Sequence, residues 1–191
     1  MLYNTITYQV EFFSYWHAGS GLAGSTYADS VVNKDESNLP LIPGKTIKGL
    51  LREAAETLNH LDKKVVTDEF ISDVFGDRTQ EGKSELKKEG KAFFRNAGLS
   101  KVLSDNIIHA DLSQDLYHVI SSTKIDANGQ AQDGSLRQLE VTIPVTMYGQ
   151  IEHFPGQGYE MQLENCFKWV KQLGQSRNRG LGRCKFSIVK K

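Results

Sequence analysis

Cysteine is nearly absent from this sequence of 191 residues, proline is scarce, and no long apolar run exists. Cys166 and Cys184 stand apart without a CxxC spacing, which argues against a zinc ribbon or a disulfide framework. They read as small buried hydrophobes. No stretch of apolar residues is long enough to predict a membrane span. The N-terminus has no basic stretch leading into an apolar block, so a cytoplasmic protein with no membrane partner is expected. No Ser/His/Asp, HExxH or Walker pattern appears, which leaves the common hydrolase, metalloprotease and nucleotide-binding classes without support. One further scarcity is local. Between Asn165 and Lys191 there is no acidic residue, while Lys168, Lys171, Arg177, Arg179, Arg183, Lys185, Lys190 and Lys191 make eight basic ones. Since the whole chain has net charge zero, the other residues carry minus eight. Such a segment points to a localised anionic partner, nucleic acid ahead of a membrane surface because no apolar face accompanies the charge; the alternative is a solvated basic tail.

The stretch LPLIPGKTIKGLLREA, residues 39–54, shows how a helix begins. Pro40 and Pro43 hold the approach extended, because the residue before a proline is pushed out of the α region. From Thr46 onward Ile47, Leu50, Leu51, Ala54, Ala55 and Leu58 recur three and four apart, which predicts one amphipathic helix over 45–61. Its first turn offers unpaired backbone N–H groups, the positive end of the helix dipole, and Lys45 and Lys48, the ingredients of a phosphate site.

The rest of the chain is consistent with one domain over 1–191. YNTITYQVEFFSYW, residues 3–16, alternates as a first strand with Ile6, Tyr8, Val10 and Phe12 on its apolar face. Residues 62–115 are rich in charge and glycine and are expected to be an irregular, partly mobile insertion. The runs LYHVISSTKI (116–125) and RQLEVTIPVTMYGQIEHF (137–154) are β-rich. Asn128-Gly129 and Asp133-Gly134 are turn signals between them, and a long hairpin over about 117–152 is expected. A helix over 158–174, stopped by Gly174, and a last strand over 181–189 complete the order. That order, β-α-β-β-α-β, predicts an α+β fold with a ferredoxin-like, RRM-like core, a long insertion and a projecting hairpin. The loop QSRNRGLGR before the last strand adds a second phosphate device. Gly180 and Gly182 allow close backbone approach, and Arg177, Arg179 and Arg183 are bidentate phosphate donors. No aromatic RNP motif accompanies them, so recognition of RNA by base stacking on a sheet is not indicated.

Four blocks then make the sequence resemble the RAMP superfamily of CRISPR-associated proteins, and within it the backbone subunits of type III effector complexes. They are ADSVVNKDESNLPLIPGKTIKGLLREA (28–54), VFGD with GKAFFRNAGL (74–99), ISSTKIDANGQAQDGSLRQLEV (120–141) and LGQSRNRGLGR (173–183). The resemblance implies a subunit that binds guide RNA by its phosphates, works against target RNA, and assembles with other effector subunits including further RAMP proteins. It implies a guide-phosphate cradle of Gly44, Lys45, Thr46 and Lys48, with Arg52 on the same helix, facing Gly180 and Gly182. The hairpin becomes a thumb wedged into the guide–target duplex, running through Ser121, Thr123, Lys124, Ile125, Asp126, Arg137 and Gln138. Sequence recognition is delegated to base pairing.

The resemblance also implies catalysis. Backbone subunits of this kind cut target RNA with one aspartate in the loop after the first strand, a divalent cation (Mg2+ or Mn2+) and the neighbouring 2′-hydroxyl as nucleophile. Asp29 matches that aspartate as catalytic and metal-binding residue, with Lys34 or Lys45 neutralising phosphate charge. Asp35 competes, because the spacing to Pro43 needs a one-residue gap and Val31 stands where relatives often have proline. Asp29 as a mere turn residue is the plain alternative. Two rival functions stay open. One is a non-catalytic structural subunit. The other is a stand-alone processing endoribonuclease in which His17 serves as general base, against the plainer reading of His17 as a packing residue.

Overall fold

The computed structural model describes residues 3–22, 28–77, 88–156 and 158–189. The expectations that fall on 78–87, and on Lys190 and Lys191, lie outside them. The first strand, β1 (Tyr3–Phe12), alternates as its sequence requires: Tyr8, Val10 and Phe12 are buried and Thr5 and Glu11 face out. The predicted helix forms as α1 (Gly44–Leu61), burying Ile47, Leu51, Ala54 and Ala55 against that face. Two further elements follow, α2 (Asp68–Phe75) and a short strand β2 (Phe93–Phe94). Next come α3 (Lys101–His109), β3 (Tyr117–Ser122), β4 (Arg137–Thr142), β5 (Thr146–Pro155), α4 (Glu160–Trp169) and β6 (Cys184–Ile188).

The main sheet is antiparallel in the order β2-β5-β1-β6, with α1 following β1 and α4 following β5. That is the expected β-α-β-β-α-β core, and β3 with β4 forms a separate two-stranded sheet inserted into it. One core joins the main sheet to α1, α2 and α4. A smaller one, Val32, Leu39, Ile107, Leu116 and Tyr117, seats the hairpin on α3 and on the loop before α1. Cys166 and Cys184 are free and buried in the main core, as expected, and burial pushes both thiols up to about 12.

Three expectations are corrected. The described part of 62–115 is ordered: Val66, Phe70, Val74 and Phe75 enter the core, and Thr67 caps α2 by accepting from the Phe70 N–H at 3.2 Å. Their helical spacing was hidden by the charged residues between them. The second core strand is Phe93–Phe94 rather than 116–125. The β-rich run 137–154 is cut at Pro144, which lacks an N–H to continue a ladder, so β4 closes the hairpin and β5 joins the main sheet beside β1. Finally, α4 stops at Trp169, short of Gly174. Residues 171–173 turn extended to pair with the last strand, the Cys184 N–H donating to the Lys171 carbonyl (2.9 Å) and the Leu173 N–H to the Gly182 carbonyl (2.9 Å).

Candidate nucleic-acid interface

The loop after α4 is stitched to the chain that leaves β1. The Phe13 N–H donates to the Arg183 carbonyl (2.8 Å), the Gly182 N–H to the Tyr15 carbonyl (2.7 Å) and the Gln175 N–H to the His17 carbonyl (2.9 Å). The two predicted glycines do different work. A side chain at Gly182 would lie 2.0 Å from the Leu173 carbonyl oxygen, so this glycine is needed to close the stitch. Gly180 meets nothing within 4 Å and ends a single 3-10 turn, Arg177–Arg179, with φ of 85°. Arg177, Arg179 and Arg183 are all exposed, and no carboxylate pairs with them among the described residues.

The first turn of α1 faces this loop. Lys45, Thr46 and Gly49 from the helix, with Gly174, Gln175 and Arg177 from the loop, line one open groove of about 400 Å³ floored by His17. Lys45 is exposed there without a carboxylate partner among the described residues. Not every predicted member belongs. Gly44 is buried, its N–H donates to Asn96 Oδ1 (2.8 Å), and a Cβ would meet the Phe94 carbonyl oxygen at 2.0 Å; it seats the helix on β2 and its N–H is not open to a ligand. Arg52 is spent inside the fold, with Nε 2.9 Å from Glu56 Oε1 and an η-nitrogen donating to the Gly76 carbonyl (2.8 Å). Lys48 is half-buried on α1 outside the groove's lining. One carboxylate, Glu53, lines the groove and was not foreseen. It lies on the face of α1 that sequence periodicity marks only as outward.

The hairpin is held at its root by residues far apart in sequence. Asp29 is exposed; its N–H donates to the Gln138 carbonyl (2.9 Å) and its Oδ2 accepts from the Gln138 N–H (2.7 Å). Its Oδ1 has no partner among the described residues. Asp35 instead builds a turn, its Oδ1 accepting from the N–H groups of Ser37 and Leu39 at 2.9 Å each. His17 is fully buried. Its Nδ1 lies 2.6 Å from the Glu140 carbonyl oxygen, which can only accept, so Nδ1 carries the proton and Nε2 accepts from the Ser30 hydroxyl at 3.2 Å. Burial holds this imidazole below its ordinary pKa, opposed by the Glu140 carbonyl and carboxylate. Lys34, expected near phosphate, pairs with the buried Glu140 at 2.8 Å and lies 3.9 Å over the Tyr117 ring. Lys124 and Arg137 are exposed on the hairpin and do not line the groove of Lys45 and Arg177.

The expected Mg2+ or Mn2+ can be tested against these donors. A hard divalent cation takes about six oxygens. Asp29 offers one free carboxylate oxygen, and among the described residues no three His, Cys, Asp or Glu side chains gather into a set that could hold a metal. Among the described residues Asp29 alone therefore offers a free carboxylate oxygen at this place, and a Mg2+ or Mn2+ there would take its remaining ligands from water and phosphate.

The profile of the RAMP superfamily matches residues 9–185. Among solved structures, the chain is similar to a chain of the cryo-EM structure of the type III-B Cmr-beta bound to cognate target RNA, with TM-score 0.71 and 11% identity over 97% of this chain and 98% of that one. It is also similar to a chain of the type III-B Cmr-beta structure in the apo state, with TM-score 0.70 and 12% identity over 97% of each. No curated protein sequence matches it. No helix among the described residues is long and apolar enough to cross a membrane.

Proposed function

The chain belongs to the RAMP superfamily, and on that premise we propose that it is a guide-RNA-binding subunit of a type III CRISPR ribonucleoprotein. It grips the guide by phosphates, independently of sequence, and works with other effector subunits against target RNA. The observation that carries this reading is the convergence of Lys45 and Thr46 at a helix N-terminus with Arg177 across one groove, with Arg179 and Arg183 exposed and unpaired beside it. Freely placed guanidinium groups around open backbone suit phosphate, which carries no sequence information. The fold shared with chains of a type III-B complex that holds target RNA supports the same reading.

Changing Arg177, Arg179 and Arg183 together to alanine tests it. RNA affinity should fall for every sequence alike, and the slope of log affinity against log salt should flatten by about two to three units, roughly one per lost phosphate contact. Unchanged affinity across a salt series would sink the reading.

Target cutting is the finer part of the proposal. Asp29 is its candidate, because the loop that bears it is bonded to the hairpin root and leaves Oδ1 as an acceptor for a ribose 2′-hydroxyl. A non-catalytic structural subunit is the second reading, favoured by the tie of Asp29 Oδ2 to the Gln138 N–H, which commits half of that carboxylate to holding the hairpin root. The processing alternative draws less support, since His17 is buried with both ring nitrogens bonded.

A further inference from the structure

The groove of Lys45 and Arg177 does not end at Arg177. That arginine also lines a second groove of about 190 Å³ together with Trp169 and Lys171. Lys171 in turn lines a third, of about 410 Å³, together with Phe13, Lys168, Arg183 and Lys185. Three depressions thus form one chain, each sharing a cation with the next. The second and the third each hold an aromatic ring open to solvent: Trp169 is 46% exposed and Phe13 52%. In this stretch Lys168 is paired, lying 3.9 Å from Glu164, and Glu53 lines the first two grooves; Lys171, Arg183 and Lys185 have no carboxylate partner among the described residues.

Rings of this size are normally covered, and neither is needed by the core, which is closed beneath them by Phe167, Val170 and Phe186. Cations alone would serve any polyanion. Cations that alternate with exposed aromatic faces along a groove are the arrangement that holds single-stranded nucleic acid, the charges tracking phosphates and the rings stacking on bases. From this we infer that the RNA path continues past the glycine loop along α4 and β6, and that Trp169 and Phe13 are stacking platforms for unpaired bases. The inference rests on the RNA-binding reading and adds to it a contact with bases, made by π-faces and therefore indifferent to their identity. It differs from stacking on the face of a sheet, which the lack of an RNP motif leaves without support. The two rings come from the residue after β1 and the end of α4, far apart in sequence, so no local motif announces them. Each is placed beside the last strand, Phe13 by its N–H bond to the Arg183 carbonyl and the end of α4 by the pairing of 171–173 with 182–184.

The two tryptophans allow a direct test with the purified full chain. Trp16 is fully buried and stacked on Phe12 at 4.4 Å, so a ligand arriving in solution reaches Trp169 alone. Titration with a ten-residue oligouridylate should quench Trp169 emission. Inorganic polyphosphate should compete for binding yet leave that emission unchanged, having no bases. Trp169→Ala and Phe13→Ala should each lower oligouridylate affinity about five-fold or more. Trp169→Phe should lose the quench and keep the affinity, since a ring remains. Oligouridylate binding with unaltered Trp169 emission, or with wild-type affinity in both alanine variants, overturns the inference and leaves the phosphate reading standing. Failure to bind any RNA removes both. Quenching by polyglutamate as strong as that by oligouridylate also overturns it, and marks the groove as a seat for an acidic protein segment.

Discussion

Lys34 and Glu140 are separated by more than a hundred residues and meet at 2.8 Å, the carboxylate buried and the ammonium capped by the Tyr117 ring. The other carboxylate oxygen accepts from the Val32 N–H at 3.0 Å, so one glutamate on β4 holds both the backbone and a side chain of the loop that carries Asp29. Removing one partner of a buried pair strands the other charge, a loss of about 3–5 kcal/mol when both are fully buried. Lys34 keeps some solvent, which softens this. Lys34→Met is expected to cost about 2–3 kcal/mol, measured by urea unfolding. Adding Glu140→Gln should recover part of that loss, because glutamine still accepts from Val32 and no charge is left buried. Strict additivity of the two changes would show that the pair does not act as one unit.

His17 predicts how stability depends on pH. Its folded-state pKa lies below the ordinary value of about 6.5 because burial disfavours the imidazolium. The unfolded chain therefore binds the proton first as pH falls. Stability from this site is fully present above about pH 6.5 and is lost progressively below it until the folded pKa is reached. His17→Asn should unfold at a lower temperature than wild type at pH 8, since the Ser30 contact goes. It should also show a smaller further drop between pH 7 and pH 5. Equal slopes in both proteins would assign the acid sensitivity elsewhere.

The two glycines of the arginine loop should respond to alanine by different amounts. Gly182 has φ of 73° and no room for a Cβ, which would stand 2.0 Å from a backbone oxygen, so Gly182→Ala is expected to cost about 3 kcal/mol or more. Gly180 has φ of 85° but open space around it, and Gly180→Ala should cost only the backbone strain, about 1–2 kcal/mol. Thermal unfolding of both variants separates a glycine needed for packing from one that leaves the loop open to a ligand.

Among the described residues, Glu53 is the one carboxylate that lines the groove of Lys45 and Arg177 and the adjoining groove of Arg177 and Trp169. A like charge near a phosphate in a solvated groove costs up to about 1 kcal/mol. Glu53→Gln should therefore raise RNA affinity by up to about five-fold, most clearly at low salt. Weakened binding would mean that the RNA does not pass through this groove.

What could be read from the chain follows the range of the forces involved. The alternation of β1 and the three-and-four spacing of α1 are local, and both elements form where those patterns begin, although β1 ends at Phe12 rather than running on to residue 16. The β2 strand is two residues long, too short for any period, and exists because β5 offers it a partner. Pro144 was visible in the β-rich run, and its missing N–H was the signal that the run divides. At the site, the cations were legible as charge, but their duties were not. Arg52 and Arg177 look alike in sequence, yet Gly76 and Glu56 claim the first and leave the second to solvent. The N–H of Gly44 was promised to phosphate by position and is taken by Asn96 from a distant loop. The grip of Glu140 on Lys34 is equally long-range, and no local pattern announces it.

Asp29 carries the last prediction. Asp29 and Asp35 both stand in the loop between β1 and α1, but their carboxylates do different things. Asp35 gives one oxygen to two N–H groups of its own turn, so it is occupied with local folding. Asp29 gives one oxygen to Gln138 on the neighbouring hairpin strand and leaves the other uncommitted among the described residues, at the root of a projecting hairpin. Holding a 2′-hydroxyl in line with its own phosphate can lower a barrier by several kcal/mol, up to about 7–11 kcal/mol for the best-oriented intramolecular systems. If the assembled complex cuts matched target RNA in Mg2+ or Mn2+ buffer, Asp29→Asn should abolish cutting while target capture is kept, because asparagine preserves size and the Gln138 contact but is no base. Asp35→Asn should weaken the turn and lower the unfolding temperature, with cutting retained. A complex in which Asp29→Asn cuts like wild type and Asp35→Asn does not would move the catalytic role to Asp35. A wild-type complex that captures target and never cuts it would make this chain the structural subunit of the second reading.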